Sequence, residues 1–124
     1  MMKILNLTQH NATADQVAAG VIEPSAEDKQ AIQAMLTFAE PPTKQNIEGR
    51  ADLLARIAEV AGATKVMIGG APYLMGALEK ALQSWGIQPL YAFSAREVVE
   101  EQDEDGAVTK RTVFRHAGWV EVSP

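Results

Sequence analysis

The stretch Lys65-Val66-Met67-Ile68-Gly69-Gly70-Ala71-Pro72 decides the fold of this chain. Its first four residues include a short apolar run, which is typical of a strand buried on both faces of a sheet. The two glycines permit a tight turn, and Pro72 suits the first turn of a helix because its missing N–H would be unpaired there. The stretch therefore predicts a buried strand that passes directly into a helix.

A helix and a second strand follow this turn. Apolar residues at helical spacing run from Leu74 to Trp85, and Gly86 suits the end of a helix. The next run, Pro89-Leu90-Tyr91-Ala92-Phe93, is typical of another buried strand. The passage from Lys65 to Ser94 has about 30 residues, which is the size of a compact βαβ unit with parallel strands.

A third apolar run, Ile4-Leu5-Asn6-Leu7, lies near the start of the chain. Between this run and the βαβ unit, three residues are suited to cap the start of a helix. They are Thr13, Ser25 and Thr43. Thr13 is followed three residues later by Gln16, which gives the form of a capping box. We therefore expect helices between the first two predicted strands.

Alternating strands and helices predict an α/β fold. We expect a three-layer Rossmann-like domain with a mostly parallel central sheet and a C-terminal β-hairpin. The whole of 1–124 is expected to form one domain, with the Rossmann-like core in 1–96 and the hairpin and a final strand in 97–124.

The last third of the chain predicts the hairpin. Glu97 to Gln102 and Ala107 to His116 are joined by Asp103-Glu104-Asp105-Gly106, and an Asp-Gly pair between β-prone runs favours a hairpin. Acidic residues before the turn and basic residues after it predict ion pairs across the two strands. A short final strand is expected at Trp119-Val120-Glu121-Val122.

Composition excludes several kinds of site. The chain has no cysteine and two histidines, which argues against thiolate chemistry, disulfides and a metal site, and we expect no cofactor. A formal net charge of −5 argues against non-specific binding to duplex nucleic acid. No apolar run is long enough to span a membrane, and the first residues lack the pattern of a secretory signal, so we expect a cytoplasmic protein.

The ends of the three predicted strands carry the candidate functional residues. In open α/β sheets, ligands bind outside the carboxyl ends of parallel strands. Glycines before a helix expose backbone N–H groups to an anion, and a guanidinium matches the geometry of phosphate. The predicted ligand-binding residues are Thr8, Gln9, Gly69, Gly70, Tyr73, Ser94 and Arg96.

A smaller set could take part in catalysis, namely His10, Ser94 and Arg96. Histidine can transfer protons near neutral pH, serine can attack, and arginine can stabilise developing negative charge. Each candidate also has a structural interpretation. The glycines could serve only the turn, Arg96 could pair with a nearby acid, His10 could be a surface or capping residue, and Tyr73 could pack in the core.

Three segments carry a resemblance to a known group of proteins. They are Ile4-Leu5-Asn6-Leu7-Thr8-Gln9-His10 with Thr13 and Gln16, then Gly69-Gly70-Ala71-Pro72, then Ala92-Phe93-Ser94-Ala95-Arg96. Together they resemble the small CRISPR-associated proteins with a Rossmann-like domain, which are related to the CARF sensors of cyclic oligoadenylates in antiviral defence. Proteins of this group resemble or include ring nucleases, which bind a cyclic oligoadenylate across a homodimer and can cut it without a metal. The resemblance implies a ligand surrounded by Thr8, His10, Gly69, Gly70, Ser94 and Arg96.

Three functions remain open at this point. The first is a nucleotide- or phosphate-ligand-binding protein that works as a homodimer, either as a cyclic oligoadenylate sensor or as a ring nuclease. The second is a non-enzymatic regulatory or assembly protein that uses the hairpin to bind a partner. The third is a transferase or hydrolase acting on a nucleoside or sugar phosphate.

Overall fold

The computed structural model describes residues 3–122. Its elements, in chain order, are β1 Ile4–Asn6, α1 Ala14–Ala18, β2 Val21–Ile22, α2 Ala26–Leu36, α3 Lys44–Val60, β3 Lys65–Met67, α4 Pro72–Ser84, β4 Gln88–Gln102 and β5 Val108–Glu121. The strands form one sheet in the order β2-β1-β3-β4-β5, with β2, β1, β3 and β4 parallel and β5 antiparallel to β4. The predicted α/β class, with a mostly parallel sheet that closes in a C-terminal hairpin, is confirmed.

The predicted helix caps are also confirmed. Thr13 Oγ1 accepts a hydrogen bond from the N–H of Gln16 at 3.2 Å, and Gln16 Oε1 accepts one from the N–H of Thr13 at 3.0 Å. Ser25 and Thr43 accept hydrogen bonds from the first turns of α2 and α3 in the same way. These bonds satisfy N–H groups that have no partner inside a helix.

The two faces of the sheet are covered differently. Helices α2, α3 and α4 pack with Leu5, Val66 and Ile68 in one large apolar cluster. On the opposite face, a small cluster of Ile4, Val21, Met67 and Leu90 is partly covered by Ala12, Ala92 and Trp119. The short helix α1 contacts β2 and β5, which lie at opposite edges, so the sheet is curled. The three-layer Rossmann-like arrangement is not confirmed by this packing.

The strand that was expected to end at Phe93 continues to Gln102. The sequence after Phe93 contains no glycine or proline before the turn, and β5 supplies a continuous antiparallel partner. The pairing of β4 with β5 has a register shift between Phe93 and Ser94. Residues 94–117, beyond this shift, form a two-stranded ribbon that we call the arm.

Ion pairs cross the arm as predicted. The pairs are Glu97–Arg115 at 2.7 Å, Glu101–Arg111 at 2.8 Å and Glu100–Lys110 at 3.7 Å. Gly106 has a φ of +81°, which suits glycine in the turn between the strands. The expected final strand is the last part of β5 rather than a separate element.

None of the helices described between residues 3 and 122 combines the length and the apolar character needed to cross a membrane.

Candidate functional site

A cavity opens where the order of the parallel strands reverses. Strand β1 lies in the sheet between β2, which follows it in sequence, and β3. This reversal is the position at which open α/β sheets bind ligands. The cavity has a volume of about 450 Å³ and is lined by Thr8, Gln9, His10, Asn11, Thr13, Gln16, Met67, Ile68, Gly69, Gly70, Tyr91 and Ala92.

Five of the predicted site residues meet in this cavity: Thr8, Gln9, His10, Gly69 and Gly70. Tyr73 does not line it. The Tyr73 ring lies 5.2 Å from the ring of Phe38, between centroids, and borders a different cavity between α3 and α4. The structure therefore brings two of the three predicted strand ends together as expected.

The third predicted strand end is absent, because Ser94 and Arg96 lie inside β4 on the arm. Ser94 is opposite His116, and Arg96 is opposite Phe114. At about 3.3 Å per residue, they lie roughly 7 and 13 Å along the strand beyond Ala92, the last cavity residue on β4. The expectation that they directly follow a strand end is wrong, and their roles in binding or catalysis stay predictions.

The loop after β1 is held by Asn6, a buried polar residue with no role predicted from the sequence. Its side-chain N–H groups donate to the carbonyl of His10 at 2.8 Å and to the carboxylate of Glu23. Its Oδ1 accepts from the N–H of Thr8 at 2.8 Å and from the Thr8 hydroxyl at 2.7 Å. A polar side chain at the end of an otherwise apolar strand was the signal that could have revealed this role.

Glu23 ties the same loop from the other side. Its carboxylate accepts from the N–H of Ala12 at 2.7 Å and from Lys29 Nζ at 3.2 Å. Lys29 also binds the side chain of Asn11. Burial acts to raise the pKa of Glu23, but the hydrogen bonds from Ala12 and Asn6 and the charge of Lys29 outweigh it and lower that pKa.

Contacts within the protein already occupy some of the hydrogen-bonding groups that were predicted to bind a ligand. The single hydroxyl proton of Thr8 faces Asn6 Oδ1 and the carbonyl of His10, so this hydroxyl can only accept a further hydrogen bond. The side-chain amide of Gln9 donates to Thr37 Oγ1 at 3.0 Å. Thr8 and Gln9 therefore serve mainly to shape the cavity.

Other donors at the cavity have no partner within residues 3–122. The imidazole of His10 makes no hydrogen bond to this part of the chain, and neither do the backbone N–H groups of Gly69 and Gly70. Helix α4 begins directly after these glycines, with Pro72 as its first residue. Its positive N-terminal end therefore lies beside the unpaired N–H groups.

Gly70 also has a structural role. Its φ is +156°, and a Cβ at this position would lie 3.4 Å from Met75 Cε. Gly69 lacks this backbone constraint, because its φ lies outside the range that favours glycine, and its Cβ would meet only Thr8 Cγ2 at an ordinary 3.7 Å. The turn therefore favours glycine at Gly70. The turn does not require glycine at Gly69, but the absence of a side chain there leaves the backbone N–H accessible.

Tyr91 closes the side of the cavity formed by β4. Its hydroxyl donates to Glu79 Oε2 on α4 at 2.5 Å. Burial, and then the hydrogen bond and negative charge of Glu79, raise the pKa of Tyr91 above its usual value. This contact fixes β4 to the helix that begins at the cavity.

The residues between 3 and 122 that line the cavity include no aspartate, glutamate, lysine or arginine. Among residues 3–122, no group of three or more His, Cys, Asp and Glu side chains is placed to hold a metal ion. Ser94 has no hydrogen bond to His116, its neighbour across the arm, whose buried Nδ1 has no hydrogen-bond partner in the described chain. The lining therefore offers backbone N–H groups, side-chain amides and hydroxyls, and the imidazole of His10 for hydrogen bonding.

Comparisons with known proteins identify the family to which this chain belongs. Neither the comparison with curated proteins nor the comparison with solved structures found a match. The model of the family described as "Uncharacterized protein MJ1673 family" matches residues 2–120, almost the whole chain, and the chain therefore belongs to that family.

Proposed function

We propose that the cavity at the ends of β1 and β3 binds a phosphate group of a small nucleotide-like ligand. The observation that carries this proposal is the meeting of unpaired donors from two strand ends, His10 after β1 and the N–H groups of Gly69 and Gly70 after β3. Successive backbone N–H groups beside a helix N-terminus are a common form of phosphate site. In the described part of the chain, no carboxylate lines the cavity and opposes an anion.

The size of the cavity limits the ligand. Small-molecule sites have volumes of roughly 300–1,000 Å³. A cavity of about 450 Å³ lies in the lower half of that range, which suits one nucleotide unit. A cyclic oligoadenylate, suggested by the resemblance to CRISPR-associated Rossmann-like proteins, contains several such units. We therefore propose that a ligand of that kind is shared by the cavities of a homodimer.

Cleavage of the ligand is a separate step from binding. His10 is the one imidazole in the lining, and imidazole is the side chain best suited to proton transfer at neutral pH. In a ring-nuclease reaction, the ribose 2′-hydroxyl of the ligand would lose its proton to water and attack the adjacent phosphorus, which forms a 2′,3′-cyclic phosphate as the bond to the 5′-oxygen breaks. His10 would donate a proton to that leaving 5′-oxygen, while the N–H groups of Gly69 and Gly70 stabilise the charge on the phosphate. A sensor would use the same contacts without the proton transfer.

Isothermal titration calorimetry with inorganic phosphate, AMP and cyclic tetra-adenylate tests the binding proposal. We expect the nucleotides to bind. The His10→Ala substitution should lower their affinity about tenfold, which is the effect of losing one charge-assisted or well-placed hydrogen bond. Gly69→Ala should also weaken binding, because the added methyl group stands beside the approaching phosphate. Gly49→Ala is the matched control, since a Cβ there meets nothing within 4 Å and Gly49 lies on α3.

The outcomes are distinct. Absence of heat with all three compounds would reject the proposed function. Equal affinities for wild type, His10→Ala and Gly69→Ala would place the ligand elsewhere. Chromatography of cyclic tetra-adenylate after incubation with EDTA-treated protein then separates a nuclease, which yields linear products, from a sensor, which does not.

A further inference from the structure

The arm stands out from the packed part of the molecule. Strand β3 pairs with β4 only from Gln88 to Leu90, so both edges of the arm lack a partner strand within residues 3–122. Isolated two-stranded ribbons are at best marginally stable in water. A ribbon of this length therefore gains stability if another surface covers it.

One face of the arm carries exposed apolar side chains. Residues that are directly opposite in the ladder share a face, and alternate pairs share the same face. This face, which we call the apolar face, carries Val98, Val108 and Phe114, whose exposed fractions are 61%, 58% and 71%. The opposite face carries the ion pairs Glu97–Arg115 and Glu101–Arg111.

The two ends of the arm differ in charge. The tip carries three adjacent carboxylates, Asp103, Glu104 and Asp105, and within residues 3–122 none of them forms an ion pair. Near the base, Arg96 lies on the apolar face and forms no ion pair with the described part of the chain. In the middle of the same face, Glu100 pairs with Lys110.

Within one chain these unpaired charges cannot meet. Arg96 and Glu104 are about 25 Å apart along the strand, at roughly 3.3 Å per residue. Solution salt screens exposed charges beyond about 8 Å. A partner that pairs with the charges at both ends must therefore present acidic groups near Arg96 and basic groups near the tip of the arm.

We propose that the arm binds the arm of a second copy of this chain, with the two apolar faces in contact and the arms antiparallel. A second copy has the required distribution of charge, because reversal of direction places the acidic tip of each arm beside Arg96 of the other. The same alignment places Val98 opposite Gln102 and its cross-strand neighbour Val108. The interface is isologous, so every contact occurs twice.

The arms also connect the two copies at their ligand sites. Strand β4 is parallel to β1 and β3, so it leaves the sheet on the side where the cavity opens, and Tyr91 and Ala92 line that cavity just before the arm begins. The proposed function includes a homodimer, and the arm would form the surface through which its two copies bind. This inference therefore rests in part on the proposed function. Its test uses no ligand, and the two can therefore fail separately.

A charge exchange tests the contact between base and tip. Sedimentation equilibrium of the full chain measures dimer formation. Concentrations up to about 100 μM are used so that the weak dimer formed by an interface of modest size is also detected. We expect wild type to dimerise. Arg96→Glu alone, and the double variant Glu104→Lys with Asp105→Lys, should each weaken the dimer about tenfold, since both copies of the contact become repulsive.

Mixing these two variants should restore association, because each arm then meets a tip of opposite charge. Restored affinity in the mixture would support the pairing of arms. A monomeric wild type, unchanged dimerisation of the two variants, or a mixture no stronger than its components would overturn it. Thermal unfolding of each variant, followed by circular dichroism, confirms that the fold is retained.

A matched pair of threonines tests which face is used. Thr112 is opposite Val98 on the apolar face, and Thr109 is opposite Glu101 on the other face, and both are exposed on β5. Thr112→Lys should weaken the dimer about tenfold, because it places a charge in the contact, whereas Thr109→Lys should leave it unchanged. Equal effects of the two substitutions would overturn the assignment of the face.

Discussion

The side-chain amide of Asn6 donates to both carboxylate oxygens of Glu23, at 3.0 and 3.2 Å. This contact joins the end of β1 to the residue that follows β2, and both residues also bind the loop that forms one wall of the cavity. The shape of the cavity therefore depends on two side chains that do not line it.

Replacement of Asn6 by leucine should destabilise the protein by about 2–4 kcal/mol. Leucine has a similar volume, but it leaves the N–H of Thr8, the carbonyl of His10 and part of the Glu23 carboxylate without partners. Urea unfolding followed by circular dichroism measures the change. Asn46→Leu, on the exposed surface of α3, is the control and should cost less than about 0.5 kcal/mol. Equal costs would show that the network contributes little.

Stability should fall in acid through Glu23. The pKa of Glu23 is lowered in the folded protein, so its contribution is present above the unfolded value near 4.5 and is lost as the pH falls through the folded value. Glu23→Gln should be less stable than wild type at pH 7, by at most about 1 kcal/mol because the carboxylate is partly solvated. The difference should shrink toward pH 3 in unfolding experiments. A difference that is independent of pH would contradict this assignment.

Two glycines should respond to alanine in opposite directions. Gly49 lies inside α3 with open space around its Cβ position, so Gly49→Ala should stabilise the protein by about 0.5–1 kcal/mol. Gly70 has a φ of +156°, a backbone conformation that residues with a Cβ rarely adopt, so Gly70→Ala should destabilise the protein by about 1–3 kcal/mol. Thermal unfolding of both variants provides the comparison. A stable Gly70→Ala would mean that the turn relaxes without cost.

Arg50 should contribute to stability through its planar guanidinium. It donates to the carbonyls of Thr37 at 2.5 Å and Met35 at 3.2 Å, at the end of α2, and it lies 4.2 Å from the centroid of the Phe38 ring. Arg50→Lys retains the charge but loses the Nη1 group that donates these bonds and the stacking on Phe38, so the free energy of unfolding should fall by about 1–2 kcal/mol. The control is Arg56→Lys, an exposed position on the same helix, which should be nearly neutral. A neutral Arg50→Lys would reduce its role to charge alone.

Tyr91 should ionise only in strongly alkaline solution. Its raised pKa stabilises the fold below the unfolded value near 10.0, and this contribution is lost as the pH rises through the folded value. In Tyr73→Phe, Tyr91 is the one remaining tyrosine, and the ultraviolet absorbance of tyrosinate reports it alone. Adding Glu79→Gln should move the titration to lower pH. Circular dichroism of the same samples distinguishes ionisation in the folded state from unfolding.

Local signals in the sequence predicted much of the fold. The caps at Thr13, Ser25 and Thr43 depend on neighbours three residues away, and the turn at Gly106 depends on a single dipeptide. These features were therefore visible without tertiary information. The strand Val21–Ile22 was not predicted, because two residues carry no periodicity and become a strand only by pairing with β1.

The candidate site was predicted only in part. His10, Gly69 and Gly70 follow strands whose ends are marked by polar residues or glycine. No glycine or proline follows Phe93, where a strand was expected to end, and β4 continues to Gln102 because β5, which begins after the turn, pairs with it. The hydrogen bonds of Asn6 and Glu23 connect positions 17 residues apart, a distance over which sequence pattern gives no guidance.

The register shift between Phe93 and Ser94 separates the ladder of the arm from the ladder of the sheet. Side chains alternate with a period of two residues along a strand, so adding or removing two residues in each strand beyond the shift would keep both faces of the arm in place. Tyr91 and Ala92 would keep their positions in the cavity throughout. The length of the arm and the shape of the cavity can therefore vary independently. Chains of this architecture can differ in arm length while retaining the same pocket.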